Sequence, residues 1–391
     1  YIPYGGYWST PFCRWQESLA EKHSIQLAGQ VAKSFLGSRE IDPTSFESLH
    51  LGTTVLQSSG FYGAPWLASM LGAEMITGPT VSQACATSAR LLAGAALEIE
   101  TGLRSRSLLV ACDRTSNGPH VYYPAPNAPG GTGRAENVVM DSFNRDPNAK
   151  VAMIQTAENV AKHCNIGREE QDEVALMRYQ QYAEALADDR AFQKRYMVPV
   201  ELPRGRRESK WVEADEGVFP TTAEGLAGLR PVMEGGTVTF GSQTHPADGN
   251  AGMIVTSKDA AKELSRDNAV TIKVLSYGEA RVEKAHMPMA VVPAAQHALQ
   301  RAGLKFTDLK AIKTHNPFAV NDVYFARETG VAASDMNRFG SPMIWGHPQG
   351  PMGLRAIIEL IEELVMAGSG RGLFAGCAAG DTAMAVTIEV C

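Results

Sequence analysis

Apolar residues over the first 118 positions gather in short unbroken runs, separated by stretches with helical spacing. Leu108-Leu109-Val110-Ala111-Cys112 is uniformly apolar and short, which predicts a strand buried on both faces. The Ala/Leu-rich stretch over residues 86–100 predicts the helix that feeds it. Strand–helix alternation of this kind implies a sheet with helices on both faces. From about residue 122 to 236 the texture changes. Tyr123-Pro124-Ala125-Pro126-Asn127-Ala128-Pro129-Gly130-Gly131 predicts a loop, and the segment opening at Gly167-Arg168-Glu169-Glu170 predicts an amphipathic helix to about residue 187. This excursion would lie over the sheets, where long connections carry substrate contacts. The strand–helix texture returns from about residue 252. It predicts strands at 270–275, 309–314 and 384–390, with helices at 293–303 and 354–366. The return suggests two similar halves.

Composition narrows the partners. With 391 residues, 44% of them apolar, the chain can form two or three packed units. A net charge of −6 and the lack of any long Lys/Arg-rich stretch exclude a nucleic-acid binder. The nearest basic cluster, Arg204-Gly205-Arg206-Arg207, reads as a solvated loop or as a contact for the nucleotide end of an anionic cofactor. No apolar run reaches the roughly 20 residues that a membrane span needs. Tyr1-Ile2-Pro3-Tyr4-Gly5-Gly6 has no signal-peptide pattern. Six scattered cysteines without a CxxC pair are expected to be free thiols in a reducing cytoplasm.

Three segments carry candidate chemistry. Ser82-Gln83-Ala84-Cys85-Ala86-Thr87-Ser88 sets a cysteine before the Ala-rich helix, where the dipole would favour thiolate. A small buried residue at a tight turn is the alternative. Gly346-His347-Pro348-Gln349-Gly350 displays a histidine on a turn, as a catalytic or a structural residue. Gly376-Cys377-Ala378-Ala379-Gly380-Asp381 holds a second cysteine, an acid–base group or a buried thiol.

In order, spacing and setting these segments resemble the thiolase family, and the resemblance spans nearly the whole chain. It includes Thr10-Pro11-Phe12, Thr115-Ser116-Asn117-Gly118-Pro119-His120, Thr156-Ala157-Glu158-Asn159-Val160-Ala161 and Glu170-Gln171-Asp172. It continues through Asp215-Glu216, Leu229-Arg230-Pro231, Gly236-Thr237-Val238-Thr239 and Asp248-Gly249-Asn250-Ala251-Gly252. The resemblance implies an α/β thiolase fold: two similar βαβαβαββ halves in an αβαβα sandwich, plus an inserted loop domain. The halves would be 1–118 with 246–258, and 259–391, with residues 119–245 covering the substrate site.

The resemblance also implies roles. Cys85 would attack the acyl thioester, His347 would activate it, and Cys377 would deprotonate the α-carbon of a second thioester. Backbone N–H groups of Cys85 and Ala379 would hold one oxyanion, and His347 with a partner the enolate oxygen. Thr244, Met153, Arg230, Phe318 and Met287 stand at substrate or coenzyme A positions. Coenzyme A enters as a substrate carrier, with no tightly bound cofactor, no metal-ligand spacing and no dinucleotide fingerprint. The implied assembly is a homodimer or a dimer of dimers, and some divergent thiolases use a small auxiliary subunit.

Departures from the family pattern bear on specificity. His315-Asn316-Pro317-Phe318 stands where many thiolases have Asn-Glu-Ala-Phe, and is similar to the His-Asp-Cys-Phe of sterol-carrier-protein-type thiolases. His315 would then serve the enolate. Ala379 and Asp381 replace two glycines of the late motif, and Ala152-Met153-Ile154 replaces His-Met-Gly. These changes, with the Tyr122-Tyr123-Pro124 loop, point to a larger, branched or aromatic acyl group. Three activities remain in view: thiolysis or its reverse Claisen condensation; a synthase of the same fold condensing by decarboxylation through a Cys-His-His site, which Cys377 disfavours; and a partner-dependent subunit with little activity alone.

Overall fold

The computed structural model of the protein describes residues 1–205 and 208–391. Of the basic cluster at 204–207, Arg206 and Arg207 lie outside the described residues.

The first sheet is built from β1 (Tyr7–Ser9), β2 (Ser48–Gly52), β3 (Thr80–Val81), β4 (Arg106–Arg114) and β5 (Ala247–Thr256), in the order β1-β5-β4-β2-β3. β4 runs parallel to β2, and β5 closes back antiparallel on β4 with Ala251 opposite Ala111. Side chains alternate across β4 as the strand period demands. Leu108, Val110 and Cys112 pack with Ile25, Ala28 and Val31 of α1 (Ser24–Ser38) and with α2 (Gly63–Met70) on the outer face. Leu109 and Ala111 face inward, toward Leu91, Leu92 and Ala95 of α3 (Thr87–Glu100).

Between β4 and β5 runs the excursion, carrying α4 (Met153–His163) and α5 (Arg168–Ala185). The segment expected as a plain loop is instead the tip of a hairpin, with His120–Tyr123 paired antiparallel to Arg134–Asn137. Its prolines sit in the turn, where no ladder donor is needed. The excursion is fastened to the interior by Asp215, which accepts from Arg355 at 2.6 and 2.8 Å and from Tyr182 Oη at 3.0 Å.

The second sheet has β6 (Ile272–Arg281), β7 (Ala311–His315), β8 (Gly370–Ala378) and β9 (Thr382–Val390), ordered β6-β9-β8-β7. α6 (Val291–Ala302) and α7 (Ala319–Thr329) cover its outer face, where Ala294, Ala295 and Ala298 meet Leu373, Ala375 and Ala385. α8 (Met352–Met366) lies with α3 between the sheets. At the crossing, a Cβ on Gly353 would stand 2.9 Å from the Ser88 Cβ, so only glycine permits that approach. The five layers and the matching strand orders agree with the expected αβαβα sandwich of two similar halves.

The halves differ at one strand. Where the first has β3, the second has only a single parallel bridge between Met336 and Ile312. Positive φ angles at Asn337, Phe339 and Gly340 break the extended run directly afterwards. Among the described residues no helix is long and apolar enough to cross a membrane.

Candidate active site

Both central helices begin at one end of the sandwich, and the turns that precede them meet there. Cys85 stands two residues before α3, after Ala84 in the left-handed region (φ 44°). Such a conformation costs a non-glycine residue of order 1 kcal/mol and persists only where the surroundings hold it. Here Thr87 does so, its Oγ accepting from Gln83 N at 2.8 Å and donating to Ala84 O at 2.7 Å. His347 lies on the turn before α8, which starts after Gly346 at φ 95°, where a Cβ would stand 2.8 Å from His245 Nε2. His347 Nε2 lies 3.0 Å from Cys85 Sγ. Gln349 N–H donates to His347 Nδ1 at 3.3 Å, so the neutral ring carries its proton on Nε2 and presents it to the sulfur. To take up a thiol proton the ring must give up that long contact.

The helix dipole, expected to favour the Cys85 thiolate, is outweighed by burial. Burial pushes its thiol up from 9.0 to about 12, which is about 4 kcal/mol against ionisation. A helix terminus supplies about 0.3–1 kcal/mol. Backbone N–H groups of Ala379 and of Cys85 itself hydrogen-bond the sulfur and pull the other way, without overcoming burial. Cys85 therefore rests as a thiol. His347 is held neutral, pushed down to about 3 by burial and then by His245.

His315 ends β7 opposite Gly376 of β8, so the parallel register sets it one place from Cys377. It is fully buried, its ring centroid 4.4 Å from that of His347, and neither nitrogen has a hydrogen-bond partner. Burial holds it neutral. Cys377 is also fully buried, with its thiol pushed up first by desolvation and next by charge on Cys85. The two sulfurs thus share one electrostatic neighbourhood. Asn321 of α7 donates to Cys377 Sγ at 3.3 Å, while its own Oδ1 has no partner.

Three further groups were not singled out from sequence. Asn321 gave no signal because it does not titrate. Asp113 is the last residue but one of β4, and its carboxylate accepts from Thr53 Oγ, Thr54 N and Oγ, Val55 N and, at 2.8 Å, Gly350 N. Burial still pushes it up to about 6, the backbone bonds only partly offsetting it. A lone carboxylate after a fully apolar strand was the available clue. His245 flanks the His347 turn, its Nε2 unpartnered and its ring pushed down to about 4 by burial.

The expected binding positions divide. A cleft of about 1070 Å³ is lined by Ala84, Met153, Gln349 and Ala379, reaching Arg134 and Arg281 at its mouth. A second cleft of about 420 Å³ is lined by Thr244 with Arg14, Phe219, Phe240 and His245. The Thr244 hydroxyl is already engaged, donating to Pro342 O at 2.6 Å. Met287 and Phe318 are buried together in the apolar cluster under α7, and Arg230 is exposed; none of the three lines either cleft. Asn316 stands where an acid was expected and links Asp322, to which it donates at 2.6 Å, with Met343 N, from which it accepts at 3.2 Å. Asp381, whose partner sequence did not reveal, accepts from Ala285 N and His286 N, both at 3.0 Å. It braces the loop that leads to Met287.

Residues 7–259 match the family model "Thiolase, N-terminal domain", and residues 268–390 match "Thiolase, C-terminal domain". Acetyl-CoA acetyltransferase of Escherichia coli (strain K12) is 30% identical over 378 residues, covering 95% of this chain and 94% of that protein. Beta-ketoadipyl-CoA thiolase of Pseudomonas knackmussii is 28% identical over 392 residues, covering 97% and 96%. The crystal structure of human mitochondrial 3-ketoacyl-CoA thiolase superposes with TM-score 0.89 at 26% identity, covering 99% and 98% of the two chains.

Proposed function

Because this chain belongs to the thiolase family and is an acyltransferase acting on coenzyme A thioesters, we propose that it works through an acyl group carried on Cys85. The observation that carries this assignment is the 3.0 Å contact between His347 Nε2 and Cys85 Sγ, with the Ala379 N–H on the same sulfur. The acyl thioester enters beside the thiol. Attack by sulfur on the carbonyl makes an S–C bond, and the carbonyl oxygen, now negative, takes hydrogen bonds from the N–H groups of Cys85 and Ala379. Collapse breaks the bond to the coenzyme A sulfur, which leaves with the proton given up by Cys85. Because that thiol is protonated at rest, the proton must move as the bond forms, and the His347 ring is the group beside it.

In the second half-reaction Cys377, reacting through the small fraction that is thiolate, takes an α-proton from a second thioester and later passes it to the Cys85 sulfur as that sulfur is expelled. The enolate oxygen would fall to His347 and His315, whose buried ring nitrogens have no hydrogen-bond partner. The enolate carbon attacks the acyl-Cys85 carbonyl, giving a 3-oxoacyl thioester and restoring the thiol. Thiolysis runs the same steps backwards. The 1070 Å³ cleft beside Ala84 and Ala379 supports an acyl group larger than acetyl. Coenzyme A would lie with its arm towards the cleft of Thr244, Phe219 and Phe240. We take 119–245 as the unit covering the substrate, and 1–118 with 246–258 and 259–391 as the two halves. The exposed Phe61 and Met75 beside the open edge strand β3 support pairing with a second copy. Thiolysis rates across a panel of 3-oxoacyl-CoA esters, measured on the purified chain alone, test the acyl preference. The same assay separates a self-sufficient enzyme from a partner-dependent subunit.

One observation favours a second reading. His315 supplies a second imidazole beside His347 although the late position is a cysteine, and two neutral donors suit an enolate formed by loss of CO2 from a malonyl-type thioester. Retained condensation from malonyl-CoA in Cys377→Ala would support it, and loss would refute it.

A further inference from the structure

We propose that Cys85, His315 and His347 together form a binding site for a soft divalent cation of the zinc class, occupied in exclusion of the acyl group. One ligand atom from each lies within 4.8 Å of the other two, although no two of these residues are neighbours in sequence. That is why spacing gave no metal signal: the set is assembled by the fold, from the turns before α3 and α8 and the end of β7.

The donor chemistry fits. A thiolate and two neutral imidazoles are ligand types that zinc takes, and three protein ligands leave a fourth position open. Both rings are held neutral, the form that ligates. Both nitrogens of His315 are buried and unpartnered, so its lone pair has no competing contact. An unsatisfied buried polar atom is costly, and a cation would recover that cost. Tetrahedral bonds of about 2.3 Å to sulfur and 2.0 Å to nitrogen put sulfur and nitrogen about 3.5 Å apart. The present 3.0 Å contact between His347 and Cys85 must then open by about half an ångström.

Two costs oppose binding. Coordination through His347 Nε2 moves its proton to Nδ1, which gives up the long 3.3 Å contact from Gln349 N–H. The thiol must also ionise, against the burial that raises it to about 12. Structural zinc sites built from Cys and His ligands form at neutral pH in spite of the same thiol ionisation. The step balances simply: the S–H bond breaks, the S–metal bond forms, and the proton passes to solvent. With the sulfur lone pair on the metal, attack on a thioester is blocked until the ion leaves.

The test reads binding rather than turnover, so its failure would leave the acyltransfer reading standing. Chelator-treated protein is titrated anaerobically with Co²⁺, following thiolate-to-cobalt absorption, and zinc is then added to displace it. Iodoacetamide alkylation of each cysteine is followed by peptide mass spectrometry with and without Zn²⁺. The expected result is one ion per chain, alkylation of Cys85 slowed about tenfold or more, and exposed Cys391 unaffected. His315→Asn should weaken protection about tenfold or more. Zinc that leaves Cys85 alkylation unchanged would overturn the proposal, and so would equal protection in a folded His315→Asn variant. Should that variant fail to fold, the wild-type protection experiment decides alone.

Discussion

Replacing Asn321 by Leu separates the two thiols by their chemistry. Leucine has nearly the shape of asparagine, and Asn321 is 2% exposed, so the change keeps the packing. It also removes Oδ1, which has no partner, and that loss offsets much of the lost hydrogen bond in the folded state. Stability should stay within about 1 kcal/mol of wild type. The Cys377 thiolate, by contrast, loses a donor at 3.3 Å. A hydrogen bond to a charged group contributes about 1.5–3 kcal/mol, equal to a rise of about 1–2 pKa units in a thiol that burial already holds high. The thiolate fraction at neutral pH then falls about 10- to 100-fold. The assay is uptake of deuterium from D2O into the α-position of acetyl-CoA, read by mass spectrometry, beside the rate of Cys85 acylation from a quenched time course. Exchange should fall about 10- to 100-fold with acylation unchanged, and the alkaline limb of the exchange profile should move up. A less than threefold fall in exchange, or a parallel loss of acylation, would refute the reasoning.

Asp113 gives a pH signature. Its carboxyl is raised from 3.8 to about 6 in the fold, so its contribution is fully present below about 4 and lost as pH rises through 6. Against Asp113→Asn, which keeps no such charge, wild type should lose about 2 kcal/mol of relative stability between pH 4.5 and 7.5 in urea titrations; a pH-independent difference would exclude the assignment. Asp215→Asn leaves the fully buried Arg355 guanidinium without its bidentate partner and should cost about 3–5 kcal/mol by the same method. Asp381→Ala frees two backbone N–H groups of the 282–286 loop, and should raise KM more than it lowers kcat in steady-state thiolysis.

The order of strands and helices was legible because the runs that form them are pure: 108–112 could only be a buried strand, and 354–366 a helix. The hairpin at 120–137 was not, because its ladder positions are exposed tyrosine, alanine and arginine, and its proline turn dominates the local composition. The long β6 was underread for a similar reason, since Ser276, Tyr277 and Glu279 interrupt its apolar pattern. At the site, Cys85, His347 and Cys377 could be singled out from their turns, but each turn left a structural reading open and the roles came with the family resemblance. His315 was visible only through family resemblance. The isolation of its nitrogens, the anchoring of Asp113 and the contact of Asn321 with Cys377 depend on residues 56 to 237 positions apart, which no local pattern encodes. The dipole at Cys85 is outweighed by desolvation, of which local sequence carries no measure.

Division of labour between two sulfurs is most directly tested by trapping the covalent intermediate. Purified wild type, Cys85→Ala and Cys377→Ala proteins would be mixed with acetyl-CoA, quenched in acid and digested for peptide mass spectrometry. The account predicts a 42 Da adduct, about the mass of an acetyl group replacing a proton, on Cys85 in wild type and in Cys377→Ala, and none on any cysteine in Cys85→Ala. An adduct on Cys377, or an acylated Cys85→Ala protein, would contradict it.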